Sequence, residues 1–543
     1  MSDVPMNGTT AHPGASDDGS LHRAIDWRDA FWMASGVPAL VLFSIGGIAA
    51  TVGTPSFLVW IVSVSFGFTQ ALTYAEIAGL FPGKSGGASI YGAMAWIRYS
   101  KLLAPISVWC NWLAWSPVLA IGCGIAAGYI LTSVLAGDSA MRSWDITFLD
   151  LGILKKDLRL RVNATFIVGA LLLLITFAAQ YRGIVQTVRV QMVIGLSVVL
   201  PLLVIGLVPL LSGNVVKSNL TPLVPLAGTD AARNPIPGEW NRAGLTVFFG
   251  GLFLAAWSTY AFETAICYTK EFKNPQSDTF KAIFAAGLLC LVIFTLVPLS
   301  FQGTLGLKAL LDPGIYDGSG VADAMAKMVG GGRVIGSLIV ILLILAVILS
   351  IITAMAGSSR TLYQGASDGW LPKYLSHVNQ HGTPTAAMWT NLGFNLLLLL
   401  MSDYVFVLAV SNCCYIFFNF LNLHAGWIHR IDNGHVERPW RAPNWVLGAG
   451  AVLAFVNVFL LGAGAKVYGD ATVVAGSIAA LLIIPLFLYR HYVSDKGEFP
   501  AQMLAELALT HSDAAEHRKA GILPYITLIA GGTIILIAAI IFP

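Results

Sequence analysis

Charge is scarce in this sequence. Asp, Glu, Lys and Arg make up 11% of its 543 residues, against about 25% in a typical soluble domain. Hydrophobic residues make up 56%, so an array of soluble domains is excluded and a chain crossing a membrane many times is indicated. A net charge of +3 is too small for a nucleic-acid surface, and no nucleic-acid partner is expected. The catalytic signatures are missing too: no Walker A segment, GxSxG or HExxH, and no Cys/His cluster. Neither an enzyme nor an ATP-driven pump fits such a chain. Cysteine is rare, and Cys110, Cys123, Cys267, Cys290, Cys413 and Cys414 all fall inside apolar runs. They read as small membrane-embedded hydrophobes, so no metal site and no cofactor is expected.

What is present is a succession of apolar runs. A membrane span takes about 20 residues. Runs near 31–53, 56–80, 102–134, 163–181, 184–212, 242–268, 280–304, 333–364, 384–402, 404–427, 444–465, 470–490 and 521–542 give about thirteen spans. Residues 1–27 are polar and read as a disordered cytoplasmic N-terminus without a signal peptide. Residues 86–101 (GGASIYGAMAWIRYSK) read as an amphipathic helix along the cytoplasmic face. Residues 491–520 are polar, with a helical pattern in AQMLAELALTHSDAAEHRKA. Most Lys and Arg fall on the side of the N-terminus, which the positive-inside rule makes cytoplasmic, although KKDLRLR (155–161) argues the other way.

Two of these spans are weak in the middle. The sixth carries Gly250-Gly251, then Ser258, Thr259 and Ala261, then a lone carboxylate, Glu263. A charge at that depth costs about 2.5–3.5 kcal/mol on insertion scales, so it is paired or functional. The first carries Gly46-Gly47 in its centre. Paired interrupted helices point to a transporter's binding site. The other reading of a Gly pair is close helix packing.

Three separated segments then carry a family resemblance. SIGGIAATVGTP (44–55) with TYAEIAGLFPGKSGGASIYGAMAWI (73–97), YAFETAICYTKEFKNPQSDTFKAI (260–283) and SSRTLYQGASDGWLPKYLSHVNQHGTP (358–384) resemble the amino acid–polyamine–organocation permeases. The resemblance spans roughly residues 28–490. It implies an all-α polytopic membrane protein of the LeuT type, with five helices repeated in inverted topology over 28–427. Accessory helices eleven and twelve would cover 428–490, and 491–543 would be a polar segment plus a thirteenth helix.

The function implied is secondary active transport of an amino acid or related amine by alternating access, in a bacterial plasma membrane. A break at Ile45, Gly46 and Gly47 would offer N–H groups to a substrate carboxylate. A second break at Ser258, Tyr260, Ala261 and Phe262 would offer carbonyls to its ammonium. Trp115, with Trp112, would wall the pocket; Trp257 would gate it, and Glu263 would couple the gate to ion flow. Ala261 departs from the family's usual Gly. The coupling ion is a proton or sodium: Ser350 and Thr353 supply hydroxyls for a sodium site, while the fifth-helix stretch 193–204 lacks the Lys that many proton-coupled members carry. Glu76 and Arg360 read as gate or structural residues, and His424 as a core histidine. The remaining alternatives are a polyamine or organocation importer, an exchanger, and a sensor that binds without transporting.

Overall fold

A computed structural model of the chain describes residues 21, 23–135, 139–330, 332–506 and 518–542. Most of the N-terminal 1–27 stretch and most of the helical pattern after Glu506 therefore lie outside the described residues. All thirteen apolar runs are helical. Eleven are long and apolar enough to cross a membrane, the last being Leu523–Ile541. The fourth, Ala164–Gln180, and the ninth, Thr385–Leu398, are shorter. The chain is an all-α polytopic membrane protein; among the described residues two small antiparallel hairpins stand outside the helices, Asp145–Asp150 with Arg159–Asn163 and Leu226–Thr229 with Pro235–Pro237.

Burial sorts the helices. The first span (Trp27–Val52) and the tenth (Tyr404–Asp432) lie almost wholly inside the protein, whereas Leu523–Ile541 shows most of its surface outward. That gradient follows composition. The tenth span carries Ser411, Asn412, Asn419 and Asn422, all buried, and hydrocarbon offers such groups no partner.

The first span is interrupted, but not at the glycine pair. Trp27–Met33 is helical, Val37–Leu40 is a 3-10 turn, and Val41–Val52 is an unbroken helix running through Ile45, Gly46 and Gly47. Pro38 supplies the cause, because it has no N–H to give the preceding turn. The Ala34 carbonyl is met instead by the Val37 N–H at 3.0 Å. The glycine pair serves close packing: a Cβ on Gly46 would stand 1.8 Å from the Ile315 carbonyl oxygen, and one on Gly47 would touch Leu254 at 3.6 Å. The sixth span does change where its small residues fall. It is α-helical over Arg242–Thr259 and continues as a 3-10 helix over Ala261–Glu271.

The segment read as a surface helix is instead internal. Ala88–Trp96 is a helix in which every residue is buried. Its small residues explain this, since Gly92 lies against the Asn422 side chain, with no room for a Cβ. The helix enters the bundle with its N-terminus pointing at the sixth span.

Candidate functional site

The site assembles around Glu263, which is fully buried. Its Oε1 accepts from the Trp115 indole N–H at 3.0 Å and from the Asn111 amide at 3.4 Å, both on the third span. Its Oε2 accepts from the Ala88 N–H at 3.3 Å. Ala88 opens the buried helix, where N–H groups lack intrahelical partners and the dipole favours an anion. Gly87, at φ +86°, makes the approach: a Cβ there would sit 2.8 Å from Cys267 Sγ and 3.5 Å from Glu263 Oε2. No cation pairs with Glu263 among the described residues. The carboxylate is held by three neutral donors drawn from two other elements. Asn111 links further, taking a hydrogen bond from the Thr361 hydroxyl of the eighth span at 3.2 Å.

Trp257 lies above it on the α-helical half of the sixth span. Pro117 prepares its place: lacking an N–H, it leaves the Leu113 carbonyl one turn earlier without its helical partner. The Ala114 carbonyl accepts from the Trp257 indole at 3.1 Å, and Ser411 bonds both that carbonyl and Leu113's, at 3.0 and 3.1 Å. The Trp257 indole also reaches Ser411 Oγ at 3.0 Å, and its ring lies 6.0 Å from that of Phe43. Ser44 and Ser258 hydroxyls meet at 2.9 Å, so the first and sixth spans touch through polar groups here.

Of the residues singled out in the sequence, Trp115, Trp257, Ser258 and Glu263 thus converge. Tyr260 and Phe262 turn away. The Tyr260 hydroxyl donates to Asn457 on the eleventh span at 3.0 Å, and the Phe262 ring lies beside Phe68 and Gly287. Ala261 is buried without a side-chain polar group, and Ile45, Gly46 and Gly47 sit in regular helix. Trp112 donates to Asn391 of the ninth helix at 2.6 Å, which makes it a packing contact. His424 accepts from Trp427 at 3.0 Å within an aromatic cluster.

Ser350 and Thr353 do face the first-span interruption. Ser350 donates to the Gly36 carbonyl at 2.6 Å and Thr353 to the Met33 carbonyl at 2.9 Å. The fifth span contributes Gln191, two residues before the stretch inspected in the sequence. Its amide donates to the Met33 carbonyl at 3.1 Å and to Thr353 at 2.9 Å. Ser197, inside that stretch, bonds only its own helix at Val193. Gln191 was legible only as a buried-side polar residue in an apolar span.

Charged pairs close the end of the bundle that holds the N-terminus. Arg360 grips Glu271 through two hydrogen bonds of 2.5 and 2.9 Å. Glu76 takes Arg430 at 2.6 Å and Arg438 at 3.1 Å, plus the Ala442 N–H. Lys84 joins Asp368 at 2.6 Å and Glu506 at 2.8 Å. Burial holds the Glu506 carboxyl above the usual carboxylate range, against the lowering effect of Lys84.

Comparison with known proteins gives the family of the chain. A family model described as amino acid permease matches residues 25–488. The chain is 26% identical over 464 residues to the polyamine transporter PUT1 of Oryza sativa subsp. japonica, covering 84% of this chain and 75% of that protein. It is 22% identical over 388 residues to the branched-chain amino acid permease BcaP of Lactococcus lactis subsp. cremoris (strain MG1363), covering 69% of this chain and 74% of that one. A second BcaP, from Bacillus subtilis (strain 168), is 26% identical over 362 residues, 65% of this chain and 68% of its own. With the family model matching most of its length, the chain belongs to the amino acid permease family.

Proposed function

We propose that this permease is a proton-coupled secondary transporter of an amino acid or related amine, working by alternating access between two inverted five-helix repeats. The observation that carries the reading is Glu263: a carboxylate in the middle of the interrupted sixth span, fixed by neutral donors and matched to no cation. Such a group binds a proton or a substrate ammonium without first breaking an ion pair, and its charge changes what the neighbouring helices prefer. Ala88 and Trp115 would feel that change directly, the first at the start of the buried helix Ala88–Trp96 and the second on the third span. Trp257 closes the path on the other side.

The hydroxyls at Ser350 and Thr353 favour the proton over sodium. The Thr353 oxygen and the Met33 and Gly36 carbonyls are engaged with protein donors, Gln191 and Ser350 among them. A sodium ion would have to displace that amide. The N-terminal end, rich in Lys and Arg, is assigned to the cytoplasm of a plasma membrane. The permease family and the transporter-named relatives are the ground for reading the chain as a transporter, not an enzyme.

The experiment is uptake of labelled amino acids and amines into proteoliposomes, with proton and sodium gradients imposed separately. Accumulation driven by the proton gradient, lost in Glu263→Gln while counterflow exchange survives, is the expected result. Accumulation driven by sodium alone would overturn the proton reading. Binding with neither accumulation nor counterflow would make the protein a sensor.

A further inference from the structure

The short helix Val321–Val329 carries charges that the site around Glu263 does not use. With the third span and the start of the eighth, it encloses a groove of about 840 Å³ at the end opposite the N-terminus, within the ~300–1,000 Å³ usual for small-molecule sites. Lys327 and Arg333 stand at its rim, both exposed. Neither has an ion pair among the described residues. Asp323, one turn before Lys327, is the one carboxylate among the described lining residues, so the rim is cationic.

Below the rim the groove turns apolar. Ile130 and Val134 of the third span line it together with Val340, Ile341 and Ile344 of the eighth. Ile344 lies about three turns from Arg333 along that helix, or about 17 Å, and the hydrocarbon of one leaflet is about 15 Å deep. Gly336 keeps the slot open, because a Cβ there would meet nothing within 4 Å. The groove thus joins a charged mouth to an apolar slot as deep as one leaflet. A water-soluble metabolite would leave the slot unfilled, and a plain hydrocarbon would leave two cations bare.

We propose that this groove holds one glycerophospholipid from the leaflet at that end, its phosphodiester between Lys327 and Arg333 and an acyl chain along Gly336. The phosphate decides the class: it brings the negative charge that the rim lacks, and a guanidinium meets phosphate oxygens through paired N–H groups. The lipid also bears on the first span. Helix Val321–Val329 follows the turn at 312–319, where the Gly320 N–H bonds the Gly314 carbonyl at 2.6 Å and the Ile315 carbonyl stands over Gly46. A phosphate held by Lys327 therefore braces the turn that covers the first span. The inference does not depend on what the permease carries.

The test uses the full chain in detergent, titrated with phosphatidylglycerol or with diacylglycerol of the same chains, and native mass spectrometry counts the lipid retained. One phosphatidylglycerol should be held more tightly than the rest. Lys327→Gln and Arg333→Gln should each weaken it about fivefold, and the fold should survive because both side chains are exposed. Gly336→Leu fills the slot and should remove the tight copy while leaving both cations in place. Phosphatidylglycerol should also raise the melting temperature of the wild type, but not that of Gly336→Leu. Diacylglycerol should bind more weakly and ignore both charge variants. If Gly336→Leu removes phosphatidylglycerol while the charge variants hold it as the wild type does, the slot takes hydrocarbon alone and the phosphate site fails. If inorganic phosphate displaces the lipid completely, the rim is a soluble-anion site and the lipid proposal fails. No tightly held copy, or equal retention by all three variants and the wild type, would overturn it outright.

Discussion

The two ends of the bundle are closed by different means. At the N-terminal end, buried ion pairs bridge elements far apart in sequence: Glu271 with Arg360, Glu76 with Arg430 and Arg438, Lys84 with Asp368 and Glu506. The N-terminal segment adds backbone bonds, Ala24 and Ile25 both donating to the Glu271 carbonyl at 2.9 and 3.2 Å. At the other end a polar cavity opens, floored by Tyr404 and Val405, with Gly46 packed on the Ile315 backbone and Gly47 on Leu254 and Val405 beneath. Ion pairs are directional and cost desolvation to form, so they switch between made and broken. Packing contacts leave no buried charge behind when they part. The conformation is thus locked at the N-terminal end and only plugged at the other.

Breaking the lock should have the largest effect. Arg360 and Glu271 are both buried, and removing one partner of such a pair costs about 3–5 kcal/mol because the other charge stays behind. Arg360→Ala should lower the melting temperature of the purified protein sharply and stop uptake. Arg360→Met combined with Glu271→Met should melt closer to wild type while still failing to transport. If the double variant melts as low as the single, the pair is not what holds that end.

The end opposite the N-terminus is probed at the glycine pair. Gly46→Ala forces a methyl onto the Ile315 carbonyl, and overpacking of this kind costs about 1–3 kcal/mol. Gly47→Ala meets Leu254 at an ordinary contact distance and should be close to neutral, or gain a little helix propensity. Thermal melts of both variants decide it. Equal, mild effects at the two positions would mean that the turn at 312–319 yields freely.

That pair also shows what the sequence could reveal. Thirteen apolar runs, the lone Glu263 and the change of winding near Ser258 were legible, because each depends on local composition. Gly46-Gly47 was not: a Gly pair looks the same whether it unwinds a helix or admits a neighbour, and the deciding atom, the Ile315 carbonyl, is remote in sequence. The interruption at Gly36-Val37-Pro38 had a local signal in Pro38, which the stronger glycine pattern masked. Ala88–Trp96 read as amphipathic because its polar partners, Asn422 and Glu263, come from other helices. Gln191 was missed for the same reason, since its role exists only where the fifth span meets Met33 and Thr353. Trp115 was singled out in the sequence as a pocket wall, but its bond to Glu263 needed the third span's position.

The smallest expected effect is the most informative about the lock. Glu506 sits on the short helix Ala501–Glu506, and its side chain is 22% exposed while Lys84 is 1% exposed. Glu506→Gln leaves the Lys84–Asp368 bond in place, and a partly exposed pair is worth at most about 1 kcal/mol. The melting temperature should therefore barely move. A shift of that size in the balance between closed and open forms still changes the open population about fivefold. Cys267 should report it, because it is buried beside Gly87, at the start of the helix Ala88–Trp96. Peptide-resolved mass spectrometry of maleimide labelling should show Cys267 modified several-fold faster in Glu506→Gln. An unchanged rate would mean that the segment after the twelfth span merely rests on the inner end, and that Lys84 and Asp368 hold it shut alone.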